Sequence, residues 1–504
     1  MISSLVLAAA FQIANVCSDD MVLQRDVDVP VWGFGEKGKT VEVALNGKKV
    51  GKAVVGEDER WTVKIPAQKA NRKPSKIAAK CGSEKREITG VLFGDVWFGS
   101  GQSNMAFSFD SFGWKALGAK EFVAKGGNPL IRTLHMNEGQ NRNAIKPREN
   151  AVGVKWQKPS AETLAKFSAA LYWMGDRLQK ELDVPIGLVD ASWGATSIQT
   201  WLDGRYAAKH GKWHPQQMAF RALGQEKVEN AKLNMNSPCS MFNGLVYPLF
   251  PMGLKGVVWY QGCSNLGFDT QWTHCLETIV GSWREKFTYK DRLPVIITEI
   301  APHAIGNTDK RIAAGENKRP DWSVTADMRC ANIEAALAIP DCSFVSLLDL
   351  GEKDIHPVRK QEVGERWALT ALQNFYGKNI LGTSPSVEKA EYLGNRIVLH
   401  FRNAKGLKTR DGLAPKGFEI SGAPVKSVDA KGKEVETLPT YFADAKIVGD
   451  TIVLTHPKVT DAFSYRYAWF DLPQGWNVVN GADLPLGTCR GYKDGKWRQS
   501  VAAE

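Results

Sequence analysis

Between Phe167 and Leu182 the residues Phe167, Leu171, Met174, Leu178 and Leu182 recur at three- and four-residue spacing, which puts them on one face of a helix. The run that follows, IGLVDASWG, is short, continuous and rich in branched apolar residues. A helix feeding a strand that is buried on both faces is the repeating unit of a parallel α/β sheet. Similar apolar runs return in VVWYQG, PVIITEI and SFVSLLDL, so this pattern governs the chain from about Val91 onward. It closes with a helix expected from Pro357 to Tyr376. Ala368, Leu369, Leu372, Phe375 and Tyr376 form its apolar side, and Gly377 stops it.

The flanks read differently. In TVEVALNGKKV, Val41, Val43 and Leu45 alternate with Thr40, Glu42 and Ala44, and Asn46-Gly47 is a strong hairpin signal. Strand patterns come back after Ser384, in RIVLHF and DTIVLTH. The expected organisation is therefore an N-terminal β domain over 11–90, an α/β domain over 91–380 and a C-terminal β domain over 381–504. A chain of 504 residues has room for this at roughly 150 residues per domain. The polar, Gly- and Lys-rich segment from Ala301 to Pro320 is expected to be a long surface loop.

Composition excludes several classes. With 43% hydrophobic and 24% charged residues the chain cannot be mostly disordered, and no apolar run reaches the ~18 residues of a membrane span. The formal charge of +11 is spread along the chain instead of gathered in one tract, which argues against nucleic acid and leaves room for attraction of an acidic glycan. None of the eight cysteines forms a CxxC pair or stands near a histidine cluster, so no metal site is expected. The opening MISSLVLAAAFQIANV resembles the end of a signal peptide without its basic region, which points to a secreted or periplasmic protein; a plain first strand is the alternative. Oligomeric state and cysteine pairing are not legible.

Ligands of open α/β sheets collect beyond the carboxyl ends of the strands, and four stretches there carry chemistry. In DVWFGSGQSNM, Gly99 and Gly101 bracket a turn that would expose Ser103. A nucleophilic serine needs a projecting hydroxyl and a backbone N–H facing the developing oxyanion. Gly194 in ASWGATSIQTW, and Gln261, Gly262 and Asn265 in WYQGCSNLG, supply further amide donors; a required turn and a helix cap are their plain structural accounts. In SLLDLGEKDIHPVRK, Asp354 stands two residues before His356. A carboxylate there can hold the imidazole Nδ1–H and leave Nε2 free to take a proton from serine, while a helix cap by Asp354 is the structural alternative. The other histidines, His135, His210, His214, His274, His303, His400 and His456, are read as surface or packing residues. Trp114, Trp193, Trp201, Trp259 and Tyr260 are read as core residues or sugar-stacking rings.

Taken in order, GQSNM, ASWGATSIQTW, WYQGCSN and DIHPVRKQEVGERWA resemble the conserved blocks of the SGNH hydrolase superfamily. MVLQRDVDVPVWG near the start and SYRYAWFDLPQG near the end resemble its sialate O-acetylesterase branch. The resemblance implies a flavodoxin-like, three-layer parallel-sheet domain flanked by all-β domains. It also implies a serine esterase that removes acetyl groups from sugars through an acetyl-serine intermediate, without metal or cofactor. Carried over by position, Ser103 is the nucleophile, His356 the general base and Asp354 its orienter; Ser103, Gly194 and Asn265 form the oxyanion hole, and Gln102 and Gln261 contact substrate. Two departures stand out. Cys263 occupies a position where relatives often have glutamate, and Ala195 replaces a usual glycine, which narrows the pocket. Another acetylated-glycan deacetylase, such as one acting on xylan, or a carbohydrate-binding protein without activity, are the rival readings.

Overall fold

The alternation in TVEVALNGKKV folds into a hairpin with Val41 and Val43 buried and Glu42 exposed; Asn46 and Gly47 turn it with φ of 50° and 83°. The structure, a computed structural model, describes residues 10–136, 142–210, 234–305, 323–428, 432–473, 475–496 and 499–502. The first nine residues of the apolar N-terminal stretch, His214 and residues 306–320 of the expected loop lie outside the described residues. Two units are distinguished. Unit 1 comprises Met1–Trp259, Cys275–Val295 and Lys360–Ala368; unit 2 comprises Tyr260–His274, Ile296–Arg359 and Leu369–Glu504.

Unit 1 begins with strands β1 (Gln12–Ile13), β2 (Val22–Gln24), β3 (Val29–Phe34), β4 (Thr40–Leu45), β5 (Lys48–Val54), β6 (Arg60–Ile65), β7 (Asn71–Cys81) and β8 (Glu84–Gly101). β1, β3 and β6 pair antiparallel, as do β5, β4, β7 and β8 in that order. β8 then continues without a break into a second environment. Its residues Asp95–Gly101 lie parallel to β11 (Ile186–Ser192), beside β9 (Ile131–His135), β10 (Trp156–Gln157) and β12 (Gly256–Tyr260) in the order β10-β9-β11-β8-β12. β11 is parallel to both neighbours, whereas β10 is antiparallel to β9. The expected α/β class is therefore present as a mixed sheet rather than an all-parallel one.

The helix before β11 spans Ala169–Leu182. It starts at Ser168, whose hydroxyl accepts the Leu171 N–H, and ends at Asp183 in the left-handed region at φ 55°. Leu171, Met174 and Leu178 are fully buried, and so is every residue of β11. Burial of each such aliphatic side chain is worth about 1.5–3 kcal/mol, which is why this pattern fixes the element so firmly.

Unit 2 contains β13 (Val295–Thr298) beside β14 (Cys342–Val345), the helix Val324–Ala338, and antiparallel sheets after Ser384. One sheet joins Ser386–Leu393, Arg396–Arg402, Thr451–Thr455 and Asp444–Val448; another is built on Phe418–Ser421, Glu434–Phe442 and Ser464–Tyr467. Ile397, Leu399, Phe418, Ile420, Ile452 and Leu454 share one core. Charge is also buried here. Arg329 is fully enclosed, donates to the carbonyls of Ala468 and Phe470 at 2.7 and 2.6 Å, and stands 3.8 Å from Glu299. Glu299 in turn accepts from Ser346 Oγ and the Thr488 N–H.

The last helix runs over Lys360–Asn374 and starts three residues later than expected from Pro357. The cause is local. Asp354 Oδ1 accepts the His356 N–H at 2.8 Å and Glu352 Oε1 accepts the Val358 N–H at 2.8 Å, so side chains hold the segment as a loop. Gly377 lies beyond the helix end at φ 65°, as its sequence position implies.

Candidate active site

Unit 1 carries Ser103, Gln102 and Gly194. β8 ends at Gly101, which at φ 139° takes a conformation side chains disfavour, and the short helix Ser103–Ala106 follows at once. The Gln102 carbonyl accepts the N–H groups of Met105 and Ala106, both at 2.9 Å, which closes the turn. Ser103 is half-buried between the buried side chains of Gln102 and Asn104. Gly99 does a different job from the one expected. It lies within the strand, where a Cβ would come within 2.6 Å of Leu171 Cδ2, so its smallness admits the helix and leaves the turn to Gly101.

Gly194 stands against the serine: a Cβ there would be 3.5 Å from Ser103 Cβ. Its segment is held at both ends of Trp193, whose N–H donates to the Gly101 carbonyl at 3.0 Å and whose carbonyl accepts from Thr196 Oγ1 at 2.7 Å. Ala195, the residue that departs from the usual glycine, is exposed and sits at φ 57°. Lys360 is fully buried, donates from Nζ to Asn104 Oδ1, and lies 4.6 Å over the Phe107 ring.

Two strands of unit 1 end in a further polar cluster. Ser192 Oγ donates to Asp190 Oδ1 at 2.5 Å, and His135 Nε2 lies 3.3 Å from Asp190 Oδ2. Burial dominates both titrations. It pushes the Asp190 carboxyl up to about 7, against the hydrogen bond from Ser192, and brings the His135 imidazole down to about 4.

Unit 2 carries Gln261, Asn265, Asp354 and His356. Gly262 follows β12 at a place where a Cβ would meet Ile300 Cγ2 at 2.7 Å, and the single turn Cys263–Asn265 follows it. Gln261 is fully buried and donates from Nε2 to Asn265 Oδ1 at 2.8 Å. That bond fixes the Asn265 carboxamide with its oxygen toward Gln261 and its NH2 turned away as a donor. Cys263 is half-buried, and among the described residues no disulfide joins any of the cysteines. His356 Nδ1 lies 3.3 Å from Asp354 Oδ1, the same oxygen that accepts the His356 N–H. Asp354 thus closes an Asx turn and faces the ring; it is not the cap of the helix, whose first turn lies beyond it.

Trp201, Trp259 and Tyr260 are buried, with Trp201 and Trp259 meeting edge to face at 6.1 Å, whereas Trp114 and Trp193 are partly exposed. Among the described residues no group of three or more His, Cys, Asp or Glu is arranged to hold a metal ion, and no helix is long and apolar enough to cross a membrane. Three residues escaped the sequence reading. Asp190 carried a signal, an aspartate inside an otherwise apolar buried strand. Lys360 carried none, because a lysine opening a helix reads as a solvated charge. Arg142, whose guanidinium carbon lies 4.1 Å from the centre of the Trp193 ring, carried none either.

Comparison with known proteins gives a consistent answer. Residues 93–363 match the family described as carbohydrate esterase, sialic acid-specific acetylesterase. The sialate O-acetylesterase of Homo sapiens is 30% identical over 499 residues, covering 92% of this chain and 88% of that protein. The sialate O-acetylesterase of Pongo abelii is 28% identical over 496 residues, with the same coverage of 92% and 88%. Among solved structures, a carbohydrate acetylesterase from Xanthomonas citri superposes with a TM-score of 0.76 at 25% identity, covering 96% of this chain and 99% of that one.

Proposed function

Since the chain belongs to the carbohydrate esterase, sialic acid-specific acetylesterase family, we propose that it works by acyl transfer through Ser103. It is a carboxylic ester hydrolase, and its activity is that of a carbohydrate O-acetylesterase. The observation that carries the residue assignment is the placement of Ser103 at the exit of a buried strand, half-exposed, with Gly194 in contact with it.

In the first step Ser103 Oγ attacks the acetyl carbonyl while His356 Nε2 takes the hydroxyl proton. The carbonyl π electrons move onto oxygen, and the N–H groups of Ser103 and Gly194 with the Asn265 NH2 stabilise that charge. Collapse breaks the bond to the sugar oxygen, which leaves as the alcohol with the proton from His356. Water then attacks the acetyl-serine, again through His356, and acetate departs. Asp354 keeps the ring in the tautomer with Nδ1 protonated and favours the imidazolium formed in each step. Gln261 acts by orienting Asn265, and Gln102 contributes its carbonyl to the nucleophile turn; both residues border the place where the sugar binds.

The finer architecture follows the same reading. The middle of the chain, 91–380, is a three-layer, flavodoxin-like SGNH domain between β domains at 11–90 and 381–504, a reading supported by β11 lying parallel to β8 and β9. The partner is an acetylated sugar or glycan, with no nucleic acid involved, and the protein is secreted or periplasmic. The deciding experiment is acetate release from O-acetylated sialic acid by the wild type and by Ser103→Ala. The variant should fold and release no acetate above background. Turnover near that of the wild type would remove Ser103 from the mechanism.

A further inference from the structure

The helix Ser103–Ala106 is four residues long, and Gln102 at its start makes no side-chain hydrogen bond to cap it. A single helical turn does not hold itself together in water, because ordering its backbone costs more than its few hydrogen bonds return. Its neighbours must hold it. The helix Ala169–Leu182 does so through the backbone: Ser168 Oγ, at its cap, donates to the Met105 carbonyl at 2.6 Å, and the Ala169 N–H donates to the Phe107 carbonyl at 2.9 Å. Lys360 does so through side chains. Its Nζ donates to the oxygen of Asn104, the residue after Ser103, and stands 4.6 Å from the ring centre of Phe107, the residue that closes the turn. Lys360, Asn104 and Phe107 are all buried.

We propose that Lys360 is a positioning residue of the esterase: its buried ammonium holds the turn that presents Ser103, by way of Asn104 and Phe107. This rests on the acyl-transfer reading above and deepens it. An ammonium carries three N–H donors and no acceptor, so one donor can take the Asn104 oxygen while another side of the group meets an aromatic face. A neutral amide does not serve both partners. Lysine is almost never enclosed unless its contacts offset the lost hydration, so a fully buried one is tightly placed. Its own mounting is rigid as well. Lys360 opens the helix Lys360–Asn374, in which Val363 and Trp367 are fully buried and a Cβ on Gly364 would come within 2.3 Å of the Ala170 carbonyl oxygen. That helix is therefore pressed against the one that holds the turn through its backbone, and the two grips on Ser103–Ala106 share one foundation. Acyl transfer needs the serine oxygen placed to a fraction of an ångström, and a displacement of about 1 Å can cost on the order of a hundredfold in rate.

The test measures hydrolysis of p-nitrophenyl acetate and the rate at which a fluorophosphonate, which reacts with an activated serine alone, inactivates the enzyme. In Lys360→Met, kcat and kcat/KM should fall together by about a hundredfold with KM within twofold of the wild type, and fluorophosphonate inactivation should slow in parallel. Lys360→Gln, which keeps a donor but reaches less far, should recover part of this and lose about tenfold. Asn104→Ala should resemble Lys360→Met, and the double variant should be no slower than the slower single one, because both changes release the same turn. Circular dichroism selects folded variants; should Lys360→Met fail to fold, Lys360→Gln carries the test. A folded variant at Lys360 with kcat within twofold of the wild type, or a double variant whose losses multiply, overturns the proposal. Loss of activity in Ser103→Ala alongside such a result leaves the acyl-transfer reading standing, whereas an active Ser103→Ala removes that reading itself.

Discussion

Gln261 Nε2 donates to Asn265 Oδ1 at 2.8 Å, and both side chains are buried. A carboxamide is ambiguous by itself, since rotation by half a turn exchanges donor for acceptor. An oxyanion hole tolerates only the donor. Truncating Asn265 to alanine should lower kcat by roughly a hundredfold to a thousandfold, the usual effect of losing one oxyanion donor. Gln261→Leu leaves the donor in place but lets it turn, and should cost on the order of tenfold in kcat. Steady-state kinetics on p-nitrophenyl acetate measures both, and a Gln261→Leu effect as large as that of Asn265→Ala would make Gln261 a direct participant.

Asp354 faces His356 Nδ1 at 3.3 Å but is 47% exposed. Solvent screens its charge, so its contribution should be smaller than the ~10,000-fold seen when a buried triad aspartate becomes asparagine. Asp354→Asn keeps an oxygen for the His356 N–H and preserves the turn. We expect kcat to fall by about ten- to a hundredfold with an unchanged urea midpoint. A fall of about 10,000-fold would mean that the carboxylate is desolvated when substrate binds.

The Asp190–His135 pair makes a prediction about pH and stability. Burial raises the Asp190 carboxyl from 3.8 to about 7, so its contribution to stability is complete below pH 4 and is lost as pH rises toward 7. The His135 imidazole, lowered from 6.5 to about 4, contributes stability that is complete above pH 6.5 and is lost as pH falls toward 4. Between about pH 4 and 6.5 the two slopes oppose and largely cancel. Asp190→Asn leaves His135 unopposed and should lose on the order of 2–3 kcal/mol relative to wild type on going from pH 7 to 4.5. His135→Asn should gain over the same interval. Urea unfolding at the two pH values reads the difference; parallel behaviour of both variants would show that the groups do not titrate as described.

Ala195 occupies the left-handed region at φ 57°, beside Gly194. An alanine there is disfavoured by about 1–2 kcal/mol, and glycine gives back part of this through its freer unfolded chain. Ala195→Gly should therefore stabilise the protein by up to about 1 kcal/mol, seen as a higher urea midpoint. A destabilised variant would mean that the methyl group makes a packing contact worth more than the backbone cost.

Local pattern carried most of the fold. The helix Ala169–Leu182 and β11 follow directly from apolar spacing, because burial of those side chains is decided within a few residues. The onset of the last helix was misplaced because periodicity does not register side chains that capture backbone N–H groups, as Glu352 and Asp354 do. Candidate site residues were legible where a short motif concentrates them, as in GQSNM and DIHP. What stayed hidden was pairing across great sequence distance. Lys360 reaches Asn104 over 256 positions, and Arg142 meets Trp193 with nothing in either neighbourhood to announce it. Asp190 stood out as an aspartate inside an apolar run, but its placement beside His135 did not.

The eighteen residues of β8 serve two sets of neighbours in one unbroken run, antiparallel to β7 at the start and parallel to β11 at the end, with Ser103 two residues past its tip. Ser103 is thus mounted on a beam whose root is clamped by the front strands. Loosening that clamp by heat, by proteolytic nicking near the Asn46 hairpin or by deleting the first strands would let the tip wander before the interior melts. A loss of activity below the melting temperature is accordingly the expected sign of damage at the far end of this beam.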